Sequence, residues 1–88
     1  MDLMNEVRII GLLVTDRIKE AGRTQQVLTK YAHLIKSRLG FHEVSEDKCS
    51  RVGLIILQVT GSREEFKEME NDLSAIGGIE VKNMIFSY

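Results

Sequence analysis

Val52–Lys82, VGLIILQVTGSREEFKEMENDLSAIGGIEVK, decides the fold. Val52 to Val59 is almost continuously apolar and rich in β-branched residues, the pattern of a central strand buried on both faces. Gly61 breaks that run. Ser62 and Glu65 then form a Ser-x-x-Glu capping box, in which each side chain satisfies the other residue's orphan backbone donor. Phe66, Met69, Leu73 and Ile76 recur at spacings of three, four and three, one apolar stripe along a helix over Ser62–Ile76. Gly77-Gly78 supplies a left-handed stop that a β-carbon would disfavour, and a last strand is expected over Glu80–Ser87.

Working outward, Glu6–Thr15 (EVRIIGLLVT) predicts the first strand, with Val7, Ile9 and Leu13 on one face and Ile10, Leu12 and Val14 on the other. Glu20–His33 predicts a helix whose inner stripe uses Ala21, Thr24, Val27, Leu28 and Tyr31. Leu34–Phe41 alternates Ile35, Ser37 and Leu39 with Lys36 and Arg38, which suits an edge strand protected by charge. His42–Ser50 reads as a polar hairpin tip. The order is βαββαβ, an α+β ferredoxin-like domain over residues 1–88. Its antiparallel sheet of four strands, ordered 4-1-3-2, carries both helices on one face.

Two helices cover one face of such a sheet, yet strands one and three are apolar on both. The other face therefore presents a contiguous apolar patch, which predicts a homo-oligomer, dimer or tetramer, associating through that face or through sheet edges.

The chain has 88 residues, no proline, no tryptophan and one cysteine. A lone thiol, Cys49, fits a reducing cytoplasm and rules out an internal disulfide framework. The apolar runs Ile9–Val14 and Leu54–Leu57 are far shorter than a membrane span. The opening Met-Asp-Leu-Met-Asn-Glu lacks the basic region of a secretory signal. A cytoplasmic protein with no membrane partner is expected.

The net charge of −1 hides a gradient. Residues 17–38 carry six basic groups against Glu20, a balance of +5, and residues 52–88 carry three basic and six acidic groups, a balance of −3. The basic stretch reads either as an anion-facing surface or as an ordinary solvated helix face. Direct nucleic-acid binding is not expected, because the central strands bring no aromatic residue to the open face for base stacking.

No catalytic constellation emerges, and the expectation is a protein that is not an enzyme. The glycines form neither G-x-G-x-x-G nor a phosphate loop. An acylphosphatase-like enzyme would need a glycine-rich anion loop after the first strand, where Thr15-Asp16-Arg17 stands. The candidate metal set is His33, His42 and Cys49, whose imidazole and thiolate groups suit nickel, zinc or copper. Pairing of the second and third strands would place His42 and Cys49 beside one hairpin tip, whereas His33 lies at the far end and would need a neighbouring subunit. Arg38 reads either as a planar fork for an anionic effector or as an edge charge against aggregation.

Several stretches together are similar to a known family. VRIIGLLV opens the chain, and Tyr31 precedes Arg38-Leu39-Gly40, where the family has Arg-Met-Gly. LIILQVTG and Gly78-Ile79-Glu80-Val81-Lys82 follow. Over residues 5–86 the chain resembles the ACT-like regulators of the iron-only hydrogenase system. It departs where Phe41-His42-Glu43 replaces the family's Ile-Pro-Tyr-like segment. The resemblance implies a regulatory, ligand-sensing module without catalytic residues. A small-molecule effector is expected between subunits at Asp16 and Arg17 after the first strand and Arg38, Gly40 and Phe41 on the second. A more distant resemblance, to the effector domains of nickel-responsive repressors, implies the alternative of a metal-responsive sensor using the His42/Cys49 hairpin.

Overall fold

The computed structural model describes residues 6–44 and 49–88, with side chains for 6–40 and 52–88. Strand β1 (Glu6–Val14), helix α1 (Arg17–Lys30), a 3-10 turn (Ala32–Leu34), strands β2 (Ile35–Val44) and β3 (Cys49–Val59), helix α2 (Arg63–Ser74) and strand β4 (Ile79–Ser87) follow in that order. The strands form one antiparallel sheet, β2-β3-β1-β4, which is the expected order read from the opposite edge. The two apolar strands are central because only there are both neighbours protein.

Both helices lie on the face that carries Arg8, Ile10, Leu12 and Val14. The core joins Ile10 and Leu12 of β1, Leu57 and Val59 of β3, Leu28 of α1, and Phe66, Met69 and Leu73 of α2. Each fully buried aliphatic or aromatic residue here contributes about 1.5–3 kcal/mol. The α2 capping box is present: Glu65 N donates to Ser62 Oγ at 3.2 Å, and Ser62 N donates to Glu65 Oε1 at 3.1 Å. Those bonds to Ser62 hold the Glu65 carboxyl below its ordinary range. Gly61 has a φ of +137°, and a β-carbon there would meet Leu34 Cδ2 at 2.7 Å, so the β3–α2 turn admits glycine alone without strain. At the second glycine stop the positive φ belongs to Gly78, not Gly77.

Three boundaries differ from the sequence expectation. Helix α1 starts at Arg17, three residues before the expected Glu20, because Asp16 is its N-cap and Oδ1 accepts from Lys19 N at 3.1 Å. Lys19 occupies the position where a capping box would hold Glu or Gln, so the usual signal was missing. At its other end the helix stops at Lys30, and the residues leading to β2 tighten into the 3-10 turn. The β2–β3 hairpin also extends further than expected, pairing as far as Val44 opposite Cys49. That polar segment carries no alternating apolar signal, whereas antiparallel pairing needs only backbone donors and acceptors.

Two charged residues are buried on the core side. Arg8 lies over the Phe66 ring at 4.1 Å and approaches Glu70 Oε1 at 3.5 Å, while Asn83 Nδ2 donates to the same oxygen at 2.9 Å. Glu20 is buried on the same helix face as Thr24 and Leu28. No described helix is long and apolar enough to cross a membrane.

Candidate functional site

A cleft of about 540 Å³ opens between the N-terminal half of α1 and the β2–β3 side of the sheet. Helix α1 contributes Arg17, Ala21, Thr24 and Gln25, one helical face read at intervals of three and four. Strand β2 contributes Arg38 and Gly40, alternate residues that share the helix-facing side of the sheet. Val14, Gly53, Leu54 and Ile55 complete the lining. Thr24 Oγ1 donates to the Glu20 carbonyl at 2.8 Å, and Arg38 Nη1 donates to Gln25 Oε1 at 2.9 Å.

Three of the five expected effector residues, Arg17, Arg38 and Gly40, thus meet in one cleft although 21 residues separate Arg17 from Arg38. Asp16 sits next to the cleft as the α1 cap and does not line it. Phe41 follows Gly40 on β2 with its backbone opposite Leu54; its side chain lies outside the described residues. Every residue that lines this cleft belongs to one protomer. Ala21, expected in the core stripe, is exposed and lines the cleft instead.

Among the described residues the cleft is lined by two guanidinium groups and no carboxylate. A guanidinium stays charged at every physiological pH and presents its donors as a fixed planar fork. Beside that charge, Val14, Ala21 and Ile55 give an apolar wall. The arrangement can bind and orient a ligand.

The candidate metal residues do not form a described group. His33, within the 3-10 turn, has its Nε2 3.5 Å from Glu65 Oε2. The backbone register puts His42 opposite Gly53 and Cys49 opposite Val44, near the tip of the hairpin; both side chains lie outside the described residues. Among the described residues no cluster of His, Cys, Asp and Glu is arranged to hold a metal ion.

Among the described residues no helix covers the opposite face of the sheet. Leu39 is 60% exposed, Met84 56% and Phe86 51%, and Ile9, Leu13, Leu54 and Ile56 lie on the same side. Gly11, lacking a side chain, leaves a hollow of about 270 Å³ among Leu13, Leu54, Glu80 and Lys82. The open apolar face expected from the alternation of β1 and β3 is therefore present.

Sequence reasoning missed Arg8. Its signal was available, because Arg8 shares the period-two face of Ile10, Leu12 and Val14 and so had to be buried with them.

A family model described as "TM1266-like: Iron-only hydrogenase system regulator, putative" matches residues 6–83. Comparison with curated proteins finds no match. Among solved structures, the protein TM1266 from Thermotoga maritima is 19% identical, with a TM-score of 0.78 over 93% of this chain and 99% of that one. A protein described as PII-like, from Thermus thermophilus, is 10% identical with a TM-score of 0.60, over 100% of this chain and 92% of that one. CPII from Thiomonas intermedia, in a structure bound to ADP, AMP and acetate, is 10% identical with a TM-score of 0.58, over 99% of this chain and 92% of that one. At these identities the likeness is one of fold.

Proposed function

The chain belongs to the TM1266-like family of iron-only hydrogenase system regulators, and from that premise we propose that it is a non-enzymatic, homo-oligomeric module that senses a small ligand in the cytoplasm. The observation that carries the sensing role is the convergence of Arg17, Arg38 and Gly40 on one cleft. The proposal includes as secondary contributors Asp16, which caps α1 beside the cleft, and Phe41, which follows Gly40 on β2. Two guanidiniums, an amide and a hydroxyl suit the binding of a ligand, and the described lining has neither an imidazole nor a carboxylate. That composition favours regulation over acid–base catalysis. CPII, which shares the fold, was captured with ADP, AMP and acetate, and this supports an anionic effector.

Oligomerisation is the second half of the proposal. Leu39, Leu54, Met84 and Phe86 form part of an apolar face that a second copy would cover. The cleft lies on the helix side, so association through the open face leaves it accessible.

Deleting the gene in its native host and measuring iron-only hydrogenase transcript and activity tests the regulatory role. A change in either, restored by the wild-type gene, is the expected result; no change in both overturns it. The alternative, a metal-responsive sensor, draws on the proximity of His42 and Cys49 along the hairpin backbone. Protein purified without chelator is expected to carry no stoichiometric metal. One equivalent per chain, lost in Cys49→Ser, would favour the metal reading instead.

A further inference from the structure

We propose that the cleft between α1 and β2–β3 takes a small organic oxyanion, with a carboxylate or phosphate group between Arg17 and Arg38 and an apolar body against Val14 and Ile55. The inference rests on the ligand-sensing reading above and gives that ligand a chemical class.

Size and lining set the class together. A cleft of about 540 Å³ lies within the range that encloses small organic ligands and is far larger than a lone oxyanion needs. Carboxylate and phosphate match the planar guanidinium fork bidentately, and such charge-assisted bonds are roughly twice as strong as neutral ones. Arg38 meets a neutral amide across the cleft, Gln25 Oε1 at 2.9 Å, and no described carboxylate pairs with it. Arg17 stands in the first turn of α1, where the helix dipole already favours negative charge and disfavours a cation. An anion between the two arginines would be stabilised by both side chains and by the helix end.

The glycines open the floor. Gly40 and Gly53 both line the cleft, and a β-carbon built on Gly40 meets nothing within 4 Å. Gly40 therefore marks space that a ligand can use. It also provides a substitution that fills the cleft without crowding the fold, since valine suits a strand.

The experiment is NMR titration of the full chain with four probes: benzoate, phenyl phosphate, inorganic phosphate and benzyl alcohol. Benzoate and phenyl phosphate each join an oxyanion to an apolar ring, inorganic phosphate has the charge alone, and benzyl alcohol has the ring alone. Binding of benzoate, phenyl phosphate or both, with shifts at Arg17, Arg38 and Gly40, is expected, and the better of the two identifies the anion source. Arg38→Ala should weaken that binding about tenfold or more, and Gly40→Val should abolish it, with both variants retaining the wild-type amide spectrum elsewhere. Failure of both ring-bearing anions to bind overturns the proposal, as does equal binding by inorganic phosphate or benzyl alcohol. Binding indifferent to both substitutions also overturns it. If the hydrogenase phenotype of the deletion persists while these probes fail, the ligand class falls and the regulatory reading stands. Binding at this cleft with no phenotype would mean the reverse.

Discussion

Arg38, on the outermost strand β2, reaches over the cleft to α1, where its Nη1 donates to Gln25 Oε1 at 2.9 Å. Both residues are exposed, so the bond competes with water and adds little to folding. Arg38→Ala and Gln25→Ala should each change stability by no more than about 0.5 kcal/mol in urea unfolding. A loss well above that would make the pair a structural strut and remove the reason for treating Arg38 as a ligand group.

Arg8 behaves differently because it is buried. Its stem packs in the core and its guanidinium lies over Phe66, with Glu70 at 3.5 Å. Arg8→Ala removes the packing and the charge partner and should cost about 2–3 kcal/mol. Arg8→Met keeps the apolar stem and should cost no more than about 1 kcal/mol, because replacing a buried ion with a well-packed apolar group is often close to neutral. Urea denaturation of both variants checks the ranking, and equal losses would contradict it.

Tyr31 joins the helices by donating its hydroxyl to Asp72 Oδ2 at 2.6 Å, and Lys30 Nζ donates to the same oxygen at 2.9 Å. The Tyr31 bond, then the Lys30 bond, hold the Asp72 carboxyl below its ordinary value of 3.8. Hydrogen bonding to Asp72 pushes the Tyr31 phenol above its ordinary 10.0. The lowered carboxyl contributes stability that is complete above its unfolded value and is lost as pH falls through the folded one. The raised phenol contributes stability that is complete below its unfolded value and is lost as pH rises through the folded one. The stability gap between wild type and Tyr31→Phe should therefore be flat near neutrality and shrink at both extremes. A gap independent of pH would contradict this.

Gly61 and Gly77 give a paired test of backbone strain. Gly61 has a φ of +137° and no room for a β-carbon beside Leu34, so Gly61→Ala should destabilise by about 1–3 kcal/mol. A β-carbon on Gly77 meets nothing within 4 Å, and its φ is not positive. Gly77→Ala should stay within about 0.5 kcal/mol of wild type. Thermal melts of the two variants would show whether the turn or the stop carries the constraint.

The fold was legible because local and long-range signals agreed. The capping box at Ser62 and Glu65, the glycine turn at Gly61, and the two strands apolar on both faces all point to the same topology. The start of α1 was hidden because Asp16 caps it without an acidic partner at Lys19. The length of the β2–β3 hairpin was hidden because pairing of polar residues leaves no hydrophobic period. Arg17 and Arg38 were legible as charges just after the first strand and on an edge strand. Their meeting in one cleft depends on how α1 lies over the β2 side of the sheet, a tertiary relationship that no local spacing encodes.

The central claim, that this module works as an assembly joined through its open sheet face, is tested most directly by its native mass. The chain is 10.0 kDa, and the account predicts a species of at least twice that mass which Leu54→Glu returns to a single folded chain. A wild-type protein that keeps the mass of one chain at every concentration measured would contradict it.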